Sequence, residues 1–283
     1  MELTARPRAG RDDTGAMSPV PAPPREVRAY LDELVRRTRA VCGPHLVGVL
    51  AVGSLALGDY RHGRSDVDVA VVVAPSLPRR ALPDLAGALA HPALPCPAAG
   101  LELVVYPADF AARPSGEAGY LMDLNTGPSL PERVSHDPRE SPAFWYVLDR
   151  SLAHQSGLPL FGGPAREVIA APERPAVLAA LRASVREHAA GEGHVTDNRV
   201  LNGCRSVVYC RTGRWFAKRA AAEAIAADEE AFRPLVEDAL RSFELPRESA
   251  LPLPAARVRD FLTWAAERVD EAVEAEDGRT GPR

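Results

Sequence analysis

The sequence has four cysteines in 283 residues, and no two of them stand in a C-x-x-C spacing. That spacing leaves no zinc ribbon and no disulfide scaffold, so Cys42, Cys96, Cys204 and Cys210 read as reduced, partly buried thiols of a cytosolic protein. No apolar run is long enough to span a bilayer, and the polar, Pro-rich N-terminus does not follow the pattern of a signal peptide. Charge of one sign is also lacking: the net charge is −4, and no basic patch stands out. Neither a nucleic-acid nor a membrane partner is expected on that balance. Aromatics make up only 6% of the chain. Trp145, Trp215 and Trp264 read as core anchors, with Trp215 the one placed to flank a ligand.

What the chain does have is apolar content, 46% of its residues, enough to bury one large core or two small ones. Residues 1–24 are rich in Pro, Arg and Ala without periodicity and read as a disordered leader, in which Met17 offers an alternative start. From Arg25, the residues Val27, Tyr30, Leu31, Leu34, Val35, Thr38 and Val41 recur at helical spacing as far as Gly43-Pro44. His45–Val52, Val67–Val73 and Leu101–Tyr106 read as buried strands, with a helix between Ser76 and Leu89. From about residue 138 the period is helical throughout: Phe144–His154, Arg174–Ala190, Val200–Arg211, Arg219–Ala227, Glu229–Arg241 and Ala255–Ala275. The expected fold is α+β, with a compact domain of strands and helices at 25–137, an all-helical bundle at 138–275 and a flexible tail at 276–283.

One stretch carries chemistry: AVGSLALGDYRHGRSDVDVAVVV, Ala51–Val73. Residues two apart on a strand share a face, so Asp66 and Asp68 set two carboxylates side by side at the mouth of an apolar run. Like charges repel there unless a cation lies between them. Mg²⁺ is a fitting occupant, since it takes one or two carboxylates and completes its shell with substrate phosphates. Gly53-Ser54, eleven residues upstream, leaves a strand where a small backbone and a hydroxyl can approach phosphate. Glu102 opens the strand LELVVY among apolar neighbours, an awkward place for an unpaired charge. Beside Asp66 it could complete a metal site or take a proton from a hydroxyl. His62, in the loop before Asp66, reads as a solvated residue, and His154 and His188 as structural.

This string resembles the signature of the nucleotidyltransferase superfamily related to DNA polymerase β. From about Glu26 to Glu274 the chain resembles the bacterial aminoglycoside adenylyltransferases that modify streptomycin and spectinomycin. A second matching segment is VLNGCRSVVYCRTGRWFAKRAAAEA in the helical half. The resemblance implies that Asp66 and Asp68 bind metal, with Glu102 as a further metal contact and catalytic base. It implies that Gly53 and Ser54 hold the terminal phosphates of ATP, with Arg205 and Lys218 reaching the triphosphate from the helical side. The chain departs from the streptomycin-modifying members at Tyr120, where they carry tryptophan, and at Asn198, where they carry histidine. Asp197, next to it, is the expected contact to an amino-sugar, with Asp123 a second choice.

The expected activity is therefore Mg²⁺-dependent transfer of AMP from ATP to a hydroxyl of a cationic aminocyclitol, by a cytoplasmic monomer that confers antibiotic resistance. Tyr120 in place of tryptophan leads us to expect spectinomycin to be preferred over streptomycin. Two alternatives stand beside this: transfer to a non-antibiotic small molecule or protein side chain, and a nucleotide sensor without turnover. A sensor would have no need of Glu102.

Overall fold

The computed structural model describes residues 23–191 and 196–280. The expected leader lies outside them apart from Pro23 and Pro24. The helix Arg25–Cys42 buries the stripe Val27, Tyr30, Leu31, Leu34 and Thr38, and ends at Gly43, whose φ of 53° no β-carbon favours.

Six strands form one sheet: β1 (Leu46–Ala51), β2 (Val67–Val73), β3 (Leu101–Pro107), β4 (Met122–Thr126), β5 (Arg133–Ser135) and β6 (Leu158–Phe161), in the order β5-β4-β3-β2-β1-β6. Only β2 and β3 are parallel; every other pair is antiparallel. β2 reads VDVAVVV because both its faces are covered. One face packs Val67, Val69, Val71 and Val73 against the helices Arg25–Cys42 and Ala81–Leu89. On the other face Ala70 and Val72 join a core continuous with the helical half.

That second half contains the helices Ala143–Ser156, Arg174–Ala190, Thr196–Thr212, Lys218–Asp228, Arg233–Phe243 and Ala255–Thr280. It is not all helical, as the sequence led us to expect. β6 returns to the sheet and pairs with β1 through Val49↔Phe161 and Ala51↔Leu158. With four residues, one of them Pro159, β6 has no alternation to read and suits only an edge. The expected flexible tail, 276–283, is corrected as far as residue 280, and 281–283 lie outside the described residues. The last helix runs on to Thr280, and Glu276 pairs with Arg174 at 3.1 Å. Among the described residues no helix is long and apolar enough to cross a membrane, and the four cysteines are free.

The loop before β2 fastens the two halves together. Arg64 forms an ion pair with Asp197, their side chains 3% and 0% exposed. Ser242 Oγ donates to the other Asp197 oxygen, and the Arg64 guanidinium lies over the Phe243 ring. Nearer the surface, Asp59 and Arg61 of the loop meet Arg219 and Glu244 of the helical half.

Candidate active site

Between the halves lies a cleft of about 720 Å³, within the range of small-molecule sites. Its floor is the end of the sheet. Parallel register sets Asp68 opposite Glu102, and the antiparallel pairs that follow set Glu102 opposite Asn125 and Asn125 opposite Arg133. Register partners share a face, so the acids far apart in sequence stand side by side. Asp66 lies just outside β2 on the same rim.

The turn Gly53-Ser54 is shaped around Asp68. The Val52 amide donates to the Asp68 carbonyl at 2.9 Å, tying the end of β1 to β2. Gly53 has φ 58°, and a β-carbon built there would lie 1.8 Å from Asp68 Oδ2. Glycine is thus required twice, for its backbone angle and for its missing side chain. Ser54 Oγ is buried without a hydrogen-bond partner.

Burial pushes the Asp66, Asp68 and Glu102 carboxyls above the usual carboxylate range. Asp66 adds to the rise at Asp68, and both aspartates add to it at Glu102. Glu102 is nonetheless open to cleft water, so its rise is a matter of depth and like charge, without full dehydration. Asp66 Oδ1 is buried and unpartnered, while Oδ2 accepts from Arg247 Nη2 at 2.5 Å. An orphaned carboxylate oxygen, a second carboxylate two residues on and a third across the sheet are a donor set that suits a hard divalent cation. They do not converge on a ready-made centre: among the described residues no cluster of three or more His, Cys, Asp or Glu is placed to hold a metal ion. The expected three-carboxylate cage is therefore not closed among the described residues.

The opposite wall is basic. Arg205 lies over the Trp215 ring at 5.4 Å, and its Nε is buried without a partner. Lys218 opens the helix Lys218–Asp228 and is the only lysine in the chain. Its Nζ donates to Asn198 Oδ1 at 3.1 Å and lies over the Phe243 ring. Burial, with Arg205 nearby, lowers its pKa to about 8.

The remaining site expectations divide. Gly53, Ser54, Asp66, Asp68, Glu102, Asn198, Arg205 and Lys218 all line the cleft. Asp197 does not: it is fully buried and spent on Arg64 and Ser242. Tyr120 is a core residue, 3% exposed, whose hydroxyl meets Ser135 Oγ at 3.0 Å and donates to the Asp137 carbonyl. The spectinomycin preference expected from a smaller stacking face at Tyr120 loses its basis. Asp123 lines the cleft, but its carboxylate is taken by Arg133 and by the Tyr146 hydroxyl. Trp145, expected in the core, is half-buried on the cleft wall. His62 is exposed in its loop, as expected. His188 is buried between the Ser184 carbonyl and Asn202.

Sequence reasoning missed two cleft residues. Asp149, on the helix Ala143–Ser156, points its carboxyl into the cleft, where burial and the charge of Asp68 push its pKa up to about 7. Arg247, in the turn Arg247–Ser249, is the partner of Asp66. Glu140 and Glu187 also line the cleft, and Asp149 lies in the field of Arg205.

Comparison with known proteins agrees with this geometry. Residues 31–111 match the family model described as the nucleotidyltransferase domain; that segment holds β1, the Gly53-Ser54 turn, β2, β3 and all three acids. The fold is similar to that in the crystal structure of spectinomycin adenyltransferase AAD(9) from Enterococcus faecialis with ATP and spectinomycin. The TM-score is 0.63 at 16% identity, covering 86% of this chain and 99% of that one. No curated protein gives a significant match to the sequence. The chain has an α+β fold, with a segment similar to the nucleotidyltransferase domain at 31–111 and a largely helical region after it.

Proposed function

We propose that the protein transfers AMP from ATP to a hydroxyl of a small cationic acceptor of the aminoglycoside or aminocyclitol class, releasing pyrophosphate. The observation that carries this reading is that one cleft holds both the acids Asp66, Asp68 and Glu102 and the cations Arg205 and Lys218. A triphosphate belongs on the side of Arg205, Lys218 and the free Ser54 hydroxyl. Asp149, Glu140 and Glu187 are cleft carboxylates that an amine-bearing acceptor would meet.

Asp66 and Asp68 would hold Mg²⁺, which when bound supplies charge neutralisation at the α-phosphate and its leaving group. Arg205 and Lys218 orient the triphosphate and take up charge that moves toward the leaving pyrophosphate. Glu102, its carboxyl raised by depth and by Asp68, accepts the proton of the acceptor hydroxyl as that oxygen attacks the α-phosphorus in line. The bond from the α-phosphorus to the bridging oxygen breaks, and pyrophosphate leaves toward the basic wall. Asp149 pairs with an acceptor amine and sets the hydroxyl within reach of Glu102. Holding both substrates in one enclosed cleft supplies much of the rate.

The test is ATP turnover against a panel of aminocyclitols and aminoglycosides. Pyrophosphate release and an acceptor mass gain of one AMP are the expected result. Release with no acceptor from the panel modified would retain adenylyl transfer and discard the acceptor class.

A further inference from the structure

Arg247 holds one of the two oxygens of Asp66, a carboxylate expected to hold the metal. Its turn, Arg247–Ser249, connects the helices Arg233–Phe243 and Ala255–Thr280, far from the acids in sequence. Nε donates to the Arg64 carbonyl at 3.0 Å and Nη2 to Asp66 Oδ2 at 2.5 Å. The Arg247 side chain keeps 26% of its surface exposed, so it can leave Asp66 without being pulled from a sealed core. An ion pair open to water is also a weak tie, worth up to ~1 kcal/mol. The second Asp66 oxygen is buried with no partner, and the acids stand apart without closing on a common centre. One oxygen of Asp66 is thus paired with a side-chain cation, and the other is buried without a partner.

We propose that Arg247 is the resident counter-ion of the metal site: it neutralises Asp66 in the nucleotide-free protein, and a divalent cation competes with it for that carboxylate. This rests on the metal-assisted adenylyl-transfer reading and adds a residue and an order of events to it. Its consequence is a site that binds free metal weakly. The displaced guanidinium is left beside Arg205 and Lys218, on the side assigned to the triphosphate. A purely structural Arg247, tying the turn to the loop at Arg64, would leave metal affinity unchanged when its charge is removed.

The experiment is Mn²⁺ binding to the nucleotide-free, full-length protein, read from loss of the free-ion electron paramagnetic resonance signal. Arg247→Gln should bind Mn²⁺ about fivefold more tightly than wild type, the equivalent of ~1 kcal/mol released from the ion pair. Arg247→Lys, which keeps the charge, should return affinity toward wild type. Asp66→Asn should bind Mn²⁺ more weakly than wild type. Unchanged or weaker binding in Arg247→Gln, with Asp66→Asn still impaired, overturns the counter-ion role and leaves the metal reading standing. Arg247→Lys behaving like Arg247→Gln overturns it too, because charge would not be the cause. If Asp66→Asn binds Mn²⁺ like wild type, the metal reading falls and the counter-ion falls with it.

Discussion

Asp68 and Glu102 are register partners on two adjacent parallel strands, one carboxylate backed by the Gly53 turn and the other open to the cleft. Strands about 4.8 Å apart put two acids of different surroundings side by side. Different surroundings allow different roles, a fixed ligand and a proton acceptor. Glu102→Gln keeps the shape and loses the base. Adenylylation should fall by roughly 10²-fold or more while ATP binding persists, a split that single-turnover rates and calorimetry would read. Retained turnover would move the base elsewhere, with Asp149 the next choice.

Gly53→Ala tests the packing behind Asp68. The new β-carbon would need the space of Asp68 Oδ2 at a φ of 58°. The left-handed angle alone costs ~1–2 kcal/mol, and a carboxylate displaced by about an ångström costs on the order of 10²-fold in rate. Thermal unfolding and turnover should both suffer. Gly87→Ala, in a helix with nothing within 4 Å of the new carbon, should be neutral or stabilising by up to ~1 kcal/mol.

Lys218 gives the pH dependence of nucleotide binding. Its pKa lies at about 8, so the ammonium is present below that value and lost above it. ATP affinity should be flat at neutral pH and fall as pH rises through 8, since the triphosphate attracts only the charged form. A titration series with Lys218→Arg, which stays charged throughout, should show no such fall. A wild-type affinity unchanged up to pH 9.5 would mean that Lys218 does not face the phosphates.

Asp197 tests the correction made to the site. Removing one partner of a buried ion pair leaves the other uncompensated, at a cost of about 3–5 kcal/mol. Asp197→Ala should shift urea unfolding by that amount, and replacing Arg64 and Asp197 together by Met and Leu should recover part of it. Asp197→Asn that folds should keep wild-type KM for the acceptor. A raised KM at unchanged stability would restore Asp197 as a substrate contact.

The parts that the sequence made legible are those where one local pattern dominates. β2 and the helix Arg174–Ala190 have the ends read from their periodicity. The aspartate pair was legible because two charges at the mouth of an apolar run have few structural explanations. Assigning a face was harder. Asp197 and Asn198 are neighbours on one helix, about 100° apart around its axis. One points into the buried seam with Arg64 and the other into the cleft, and no spacing rule separates them. Asp149 resembled any acid on the solvated side of an amphipathic helix until the sheet closed over it. Arg247 gave no signal, because its role depends on a turn that meets Asp66 only in the folded chain.

The solitary Lys218 has a practical consequence. Every other strongly basic side chain is arginine, so apart from the terminal amine the protein offers amine-directed reagents a single address, inside the cleft. A pKa near 8 leaves a useful fraction of that amine unprotonated and nucleophilic under mild conditions. Reductive methylation with ¹³C-formaldehyde would therefore place one side-chain isotope label at the wall assigned to the triphosphate. Its resonance would report the approach of nucleotide, metal or acceptor in a protein of this size without assignment of any other signal.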